Sequence, residues 1–183
     1  MVIATVRALS HDEVRQRAAN LRLLVTDCDG VLTDAGVYYS AQGEELKRFS
    51  VRDGKGVERA RDAGIDTMIV TGERSPSVTA RARKLGIEAH LGIEPKASFL
   101  LTLLGERGLT PGEVAYLGDD VNDLGAMALV REAGLVGAPA DALASVRRVA
   151  HLVTQARGGD GAYREFVEWL LELRTREPHG REP

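Results

Sequence analysis

A single cysteine, Cys28, stands among 183 residues, so no disulfide can close within the chain and the expected setting is a reducing cytoplasm. Aromatic residues make up only 4%, which leaves the core to aliphatic side chains. Neither sign of charge dominates: 24 Lys+Arg against 27 Asp+Glu give a formal net charge of -3. That balance argues against nucleic acid or an anionic membrane as partner, since affinity for both comes from clustered positive charge. No apolar run approaches the ~20 residues that a membrane-spanning helix needs. The opening stretch MVIATVRALSHDEVRQRAAN is broken by charges before a signal-peptide core could form. What remains is 44% hydrophobic and 28% charged, and residues 1–183 read as one globular domain.

Short apolar runs alternate with amphipathic segments, the pattern of an α/β parallel sheet with helical crossovers. Strands are expected at Leu21–Thr26, Ile65–Thr71, Ala89–Leu91, Val114–Leu117 and Leu135–Val136, with a sixth at Val149–Val153. Helices fit the gaps. Asp53–Ala63 stops at Gly64, a C-cap glycine, and Ser75-Pro76 is an N-cap with proline at the first helical position of a helix that stops at Gly86. Pro95–Arg107 stops at Gly108, Asp123–Ala133 at Gly134, and Gly161–Thr175 closes the fold ahead of a frayed tail, REPHGREP. Gly36–Ser50 breaks the rhythm: it reads as a β-hairpin turning at Ala41-Gln42-Gly43, too polar for core and suited to a lid or an oligomer contact.

Three strands run into polar residues that a strand does not need: Asp27-Cys28-Asp29-Gly30, Thr71-Gly72-Glu73, and Gly118-Asp119-Asp120-Val121-Asn122-Asp123. In open parallel sheets ligands sit beyond the carboxyl ends of the strands, so the three clusters should meet in one crevice. Asp27, Asp29, Asp119 and one of Asp120 or Asp123 would then share a small volume, where like charges raise one another's pKa. A hard divalent cation with oxygen ligands is the simplest remedy, and magnesium suits carboxylates and water. Lys96, at a helix start, would add a second positive charge and make the site attractive to a phosphate dianion. Cys28 lacks a neighbouring base and reads as a buried spacer. His11, His90, His151 and His179 show no zinc-site spacing.

The ordered set DCDG, VTG, lysine, GDDVND resembles the haloacid dehalogenase superfamily over roughly Leu21 to Leu171. The resemblance implies that Asp27 is the nucleophile that becomes an aspartyl-phosphate and that Asp29 is the general acid and then base. It also implies that Thr71 and Lys96 hold phosphoryl oxygens. Mg²⁺ would be bound by the Asp27 carboxylate, the Asp29 carbonyl and Asp119, with Asp123 or Asp120 in support. An aspartate at position 29 favours a phosphatase or phosphomutase. The intervals from Asp27 to Thr71 and on to Lys96 hold no separate cap domain, so the chain looks like a cap-less, Rossmannoid member.

GVLTDAGVYYSAQGEELKRFSVRDGKGV, followed by GDD, GAPADA and GGDGAYREFVEWLL, narrows the resemblance to the 3-deoxy-D-manno-octulosonate 8-phosphate phosphatase group. That group implies a homotetramer built on the hairpin, with a neighbour's C-terminal segment covering the site. Its substrate contacts map onto Ser50, Val51, Arg52, Asp53, Gly54 and Arg81, with Gly72, Asn122 and Arg164 as further candidates. Glu73 departs from the octulosonate pattern, which has arginine there, as does Glu58. With Arg81 and Lys84 downstream, Glu73 resembles the branch acting on 2-keto-3-deoxynononate and N-acylneuraminate 9-phosphates, and the expectation leans to nine carbons. The rival expectation is a non-catalytic oligomerisation module, like the domain attached to animal CMP-sialate synthetases. Such modules lose the aspartates that this chain keeps.

Overall fold

The computed structural model describes residues 9–175; the REPHGREP tail lies outside the described residues. In chain order the elements are α1 (His11–Asn20), β1 (Leu23–Thr26), β2 (Val37–Ser40), β3 (Gly43–Lys47), α2 (Val51–Asp62), β4 (Asp66–Thr71), α3 (Pro76–Leu85) and β5 (Glu88–Leu91). Then come α4 (Lys96–Glu106), β6 (Val114–Leu117), α5 (Leu124–Arg131), β7 (Leu135–Ala138), α6 (Ala144–Arg147), β8 (Leu152–Val153) and α7 (Ala162–Thr175). Six strands pair in parallel in the order β5-β4-β1-β6-β7-β8, while β2 and β3 form a separate antiparallel hairpin.

The central strand β1 is buried at all four positions, so it carries no polar alternation. Its residues divide between two cores. Leu24 joins Ile69, Ala115, Leu117, Tyr163 and Phe166 on the face covered by α1, α2, α3 and α7. Leu23 and Val25 join Met68, Val70, Tyr116 and Leu100 on the face covered by α4 and α5. Each such fully buried side chain contributes about 1.5–3 kcal/mol. The hairpin supplies no buried member of either core.

All six expected strands exist; Val114–Leu117 has the expected ends and the others are shifted. Leu21 is not strand but the C-cap of α1, and β8 keeps only Leu152–Val153 of the expected run. Helix α2 starts two residues earlier than expected because the Ser50 side chain accepts the Arg52 N–H at 3.1 Å and caps it there. Helix α1 escaped the sequence reading although Ser10 and Glu13 form a reciprocal capping box. Gly134 was expected to end a helix, yet α5 already stops at Arg131. The glycine is needed there for another reason: a Cβ would lie 2.2 Å from the Val114 carbonyl oxygen, so the backbone of β6 excludes any side chain.

Candidate active site

The site forms where the strand order reverses about β1. Asp27 extends the ladder past β1 by donating its N–H to the Leu117 carbonyl at 2.9 Å, which holds it between the ends of β4 and β6. Its carboxylate accepts the Cys28 N–H at 2.7 Å and lies 2.9 Å from the Lys96 ammonium. Lys96 opens α4 directly after the cis Glu94-Pro95 bond and is 1% exposed. Its Nζ also reaches Asp123 at 2.8 Å. The lysine therefore sits beneath the crevice and joins two carboxylates.

Asp123 is fully buried and is the organiser of its loop. One carboxylate oxygen accepts from Lys96 and from the Tyr116 hydroxyl at 2.7 Å; the other accepts the Asp119 N–H at 2.9 Å and the Asp120 N–H at 3.3 Å. Asp120 instead caps the following turn through the Val121 N–H at 2.6 Å. Both Asp123 oxygens are thus engaged, and Asp119 is left facing the crevice, with a buried oxygen that has no hydrogen-bond partner. Gly30 makes room for it. At φ +82 the backbone turns where a Cβ would lie 2.0 Å from the Asp119 carboxylate.

A crevice of about 440 Å³ opens above these groups, lined by Asp27, Asp29, Thr71, Asp119, Asp120 and Asn122, with Gly72, Glu73, Glu94 and Ala35 around them. Burial, then the charge of Asp123, pushes the Asp27 carboxyl up to about 7 against the pull of Lys96. Burial, then the charges of Asp27 and Asp123, pushes Asp119 to about 8. Ligand oxygens of Asp27, Asp119 and Asp123 lie within 4.8 Å of one another. Two carboxyls held so far above the usual range, one with an orphaned oxygen, form a hard-oxygen donor set that a divalent cation fits.

Asp29 is clamped. Lys47 of β3 donates to both its oxygens at 2.8 and 2.6 Å, and the Thr33 hydroxyl donates at 3.2 Å. Lys47 is 1% exposed at its side chain; burial pulls its ammonium down, but the Asp29 hydrogen bond and charge hold it above its ordinary pKa. Sequence reading missed Lys47, because a lysine in a polar hairpin carries no signal of its own. Tyr116 and Glu94 were missed too: one is an ordinary strand residue by pattern, the other a lone carboxylate before a proline.

Other expected residues are not gathered with the aspartates within one chain. Arg52 and Val51 are exposed on the first turn of α2, and Lys84 is exposed on α3. Arg81 donates to the Ser50 carbonyl at 2.8 Å and lies over the Phe49 ring. Arg164 pairs with Glu168 at 2.6 Å, while its backbone N–H donates to the carboxylate of Asp53, which is buried beside Gly54. Among the described residues no helix is long and apolar enough to cross a membrane.

A parallel sheet with an aspartate just past its central strand, a buried lysine beneath it and an acidic loop on the neighbouring strand fits the class of phosphomonoester hydrolases. Residues 44–131 match the haloacid dehalogenase-like hydrolase family. The chain belongs to it, within the cap-less group of sugar-acid phosphatases. The 3-deoxy-D-manno-octulosonate 8-phosphate phosphatase of Yersinia pestis is 45% identical over 162 residues, covering 87% of this chain and 84% of the relative. The cobalt-bound phosphatase from Haemophilus influenzae superposes with a TM-score of 0.81 at 38% identity, over 87% of this chain and 92% of that one. The Moraxella catarrhalis phosphatase, solved with magnesium, phosphate and 3-deoxy-D-manno-octulosonate (KDO), gives 0.82 at 35% identity, over 89% and 92%.

Proposed function

We propose that the chain hydrolyses the terminal phosphate of a 3-deoxy-2-ulosonic acid, with 3-deoxy-D-manno-octulosonate 8-phosphate as the first candidate substrate. The observation that carries this is the convergence of Asp27, Asp29, Thr71 and Asp119 on one crevice with Lys96 beneath it, in a chain whose relatives bear that activity in their names. Asp27 attacks phosphorus while the bond to the sugar oxygen breaks, and Asp29 gives its proton to the leaving alkoxide. Water then attacks the aspartyl-phosphate, passes a proton to Asp29 and releases phosphate and the Asp27 carboxylate. Thr71 borders the phosphoryl position, and Lys96 fixes the direction of the attacking carboxylate. Asp27, Asp119 and the Asp29 carbonyl would hold Mg²⁺, whose charge offsets that of the phosphoryl oxygens; Asp123 orients Asp119 through its backbone.

A nine-carbon reading rests on Glu73, which lines the crevice with Glu94. Ser50, Val51, Arg52, Asp53, Gly54, Arg81, Lys84 and Arg164 lie outside the crevice of one chain, so their part in binding is proposed to come across subunits. A homotetramer through the hairpin is supported by Tyr38, Tyr39 and Leu46, all exposed large apolar side chains. The cytoplasm is the proposed compartment, consistent with a single, buried, free thiol.

The test is phosphate release from eight- and nine-carbon sugar-acid phosphates, with Mg²⁺ and with EDTA. Turnover of the eight-carbon ester that EDTA abolishes is expected. A higher kcat/KM on the nine-carbon ester would move the assignment to that substrate, and no release from either would overturn it.

A further inference from the structure

The hairpin holds on to the catalytic body through side chains from one strand. Lys47 reaches Asp29, while Ser75, the N-cap of α3, donates to Glu44 at 2.6 Å. In a regular strand, positions 44 and 47 face opposite sides. Here the register slips: Tyr39 pairs with Glu44 but Tyr38 with Leu46, so Glu45 is an extra residue and the strand bulges. The bulge resets the phase. Glu44 and Lys47 both turn toward the body, and Tyr38, Glu45 and Leu46 are left exposed. Bulges beside reaction centres commonly re-aim a side chain in this way.

We propose that Lys47 is a positioning residue for Asp29, and that the hairpin is part of the catalytic apparatus and not merely an appendage for assembly. The proposal rests on the phosphatase reading above. A carboxyl that first gives a proton to the sugar oxygen and then takes one from water must point at the same oxygen position in both steps. Asp29 is 21% exposed at its side chain and lines an open crevice, so it has rotamers to lose. Thr33 restrains one oxygen, and at 3.2 Å only loosely; Lys47 bridges both, from a stem that is itself buried. The clamp contributes through orientation. In each turnover the proton balance is unchanged: one leaves Asp29 for the alkoxide, and one returns from water.

A lysine that only tethers the hairpin predicts something different, and Glu44 is the comparison, since it ties the same strand to the body through Ser75 and meets Asp29 only by way of Lys47, whose ammonium lies 3.9 Å from it. Lys47→Met should lower kcat on the sugar-acid phosphate by about 10- to 100-fold, the scale for misplacing a reacting group, with KM within about twofold. In an Asp29→Asn background, under single-turnover conditions, the same substitution should cost less than about twofold, because residues that act as a unit are non-additive. Glu44→Gln should stay within about threefold of wild type. Neither variant enters the cores, and thermal melting checks that each is folded. Equal losses from Lys47→Met in both backgrounds, a loss carried by KM, or an equal loss from Glu44→Gln would overturn the positioning role. Wild type that releases no phosphate would instead overturn the phosphatase reading beneath it; active wild type with unchanged Lys47→Met would sink the lysine proposal alone.

Discussion

Replacing Asp123 by asparagine probes the buried network on which the site stands. The native carboxylate accepts four hydrogen bonds, two on each oxygen, from Lys96, Tyr116, and the Asp119 and Asp120 N–H groups. An amide cannot do this, because one of its ends must be a donor. Turned toward the two N–H groups, that donor meets two donors. Turned toward Lys96 and Tyr116, it loses the lysine, although the tyrosine hydroxyl can rotate to accept. The second orientation is the cheaper one. It removes one charge-assisted bond, worth about 1.5–3 kcal/mol, and leaves Lys96 buried with Asp27 as its remaining carboxylate. Relief of repulsion between Asp123 and the raised carboxyls of Asp27 and Asp119 offsets part of this. The expected net cost is about 1–3 kcal/mol, or roughly 2–12 °C in Tm for a chain of this size. Urea unfolding in EDTA, followed by circular dichroism, measures it without any contribution from bound metal. Tyr116→Phe, which deletes a single bond to the same oxygen, should cost about 1–2 kcal/mol. A loss below about 1 kcal/mol for Asp123→Asn, or a larger loss for Tyr116→Phe, would refute the account.

Asp27→Asn should abolish phosphate release yet melt higher than wild type in EDTA at pH 8, by about 1–3 kcal/mol, because ionising a carboxyl held up at about 7 strains the metal-free fold; a markedly lower Tm would count against that reading. Gly30→Ala should lose both stability, by more than about 2 kcal/mol, and Mg²⁺ affinity in calorimetry, since the new Cβ collides with the Asp119 carboxylate at a backbone angle that suits glycine. His151 accepts the Val136 N–H at 3.0 Å, and burial, then the nearby Arg131 and Arg17 charges, lowers it from 6.5 to about 4. It stays neutral in the fold but takes up a proton when unfolded. Its contribution is therefore complete above pH 6.5 and is lost as the pH falls toward 4, by about 1–2 kcal/mol after allowance for solvent screening. His151→Asn, which keeps an acceptor for Val136, should flatten that slope in pH-dependent melting; an unchanged slope would exclude His151 as its source.

Strand identities were legible because β1, β6, β7 and the Met68-Ile69-Val70 stretch of β4 are buried on both faces and so appear as apolar runs. The aspartate loops were legible for a related reason: polar residues directly after such a run have no structural use in a strand. The start of α3 was readable because Pro76 follows its capping serine, whereas the serine caps of α1 and α2, which no proline follows, were passed over. Where a tertiary contact sets the outcome, local pattern failed. Gly134 looks like a helix stop but answers to the Val114 carbonyl across a loop, and Lys47 is brought to Asp29 by a register slip that depends on the pairing of β2 with β3. The role of Lys96 was legible only in part. Its position at a helix start was plain, but its burial beneath Asp27 and Asp123 depends on the packing of α4 against the sheet.

The placement of β1 between β4 and β6 has a consequence for how the protein comes into being. Leu23 pairs with Asp66 on one side and with Val114 on the other, so the first strand made is completed only by a segment far along the chain. Contacts so remote in sequence are slow to form, because a long loop must close before they return any free energy. Asp27 therefore has its backbone anchor, the Leu117 carbonyl, only after β6 has docked. Recovery of phosphate release after dilution from denaturant should then coincide with the slowest structural phase, and a ribosome-bound chain halted before β6 should hold a folded α2–β4 segment and no activity at all.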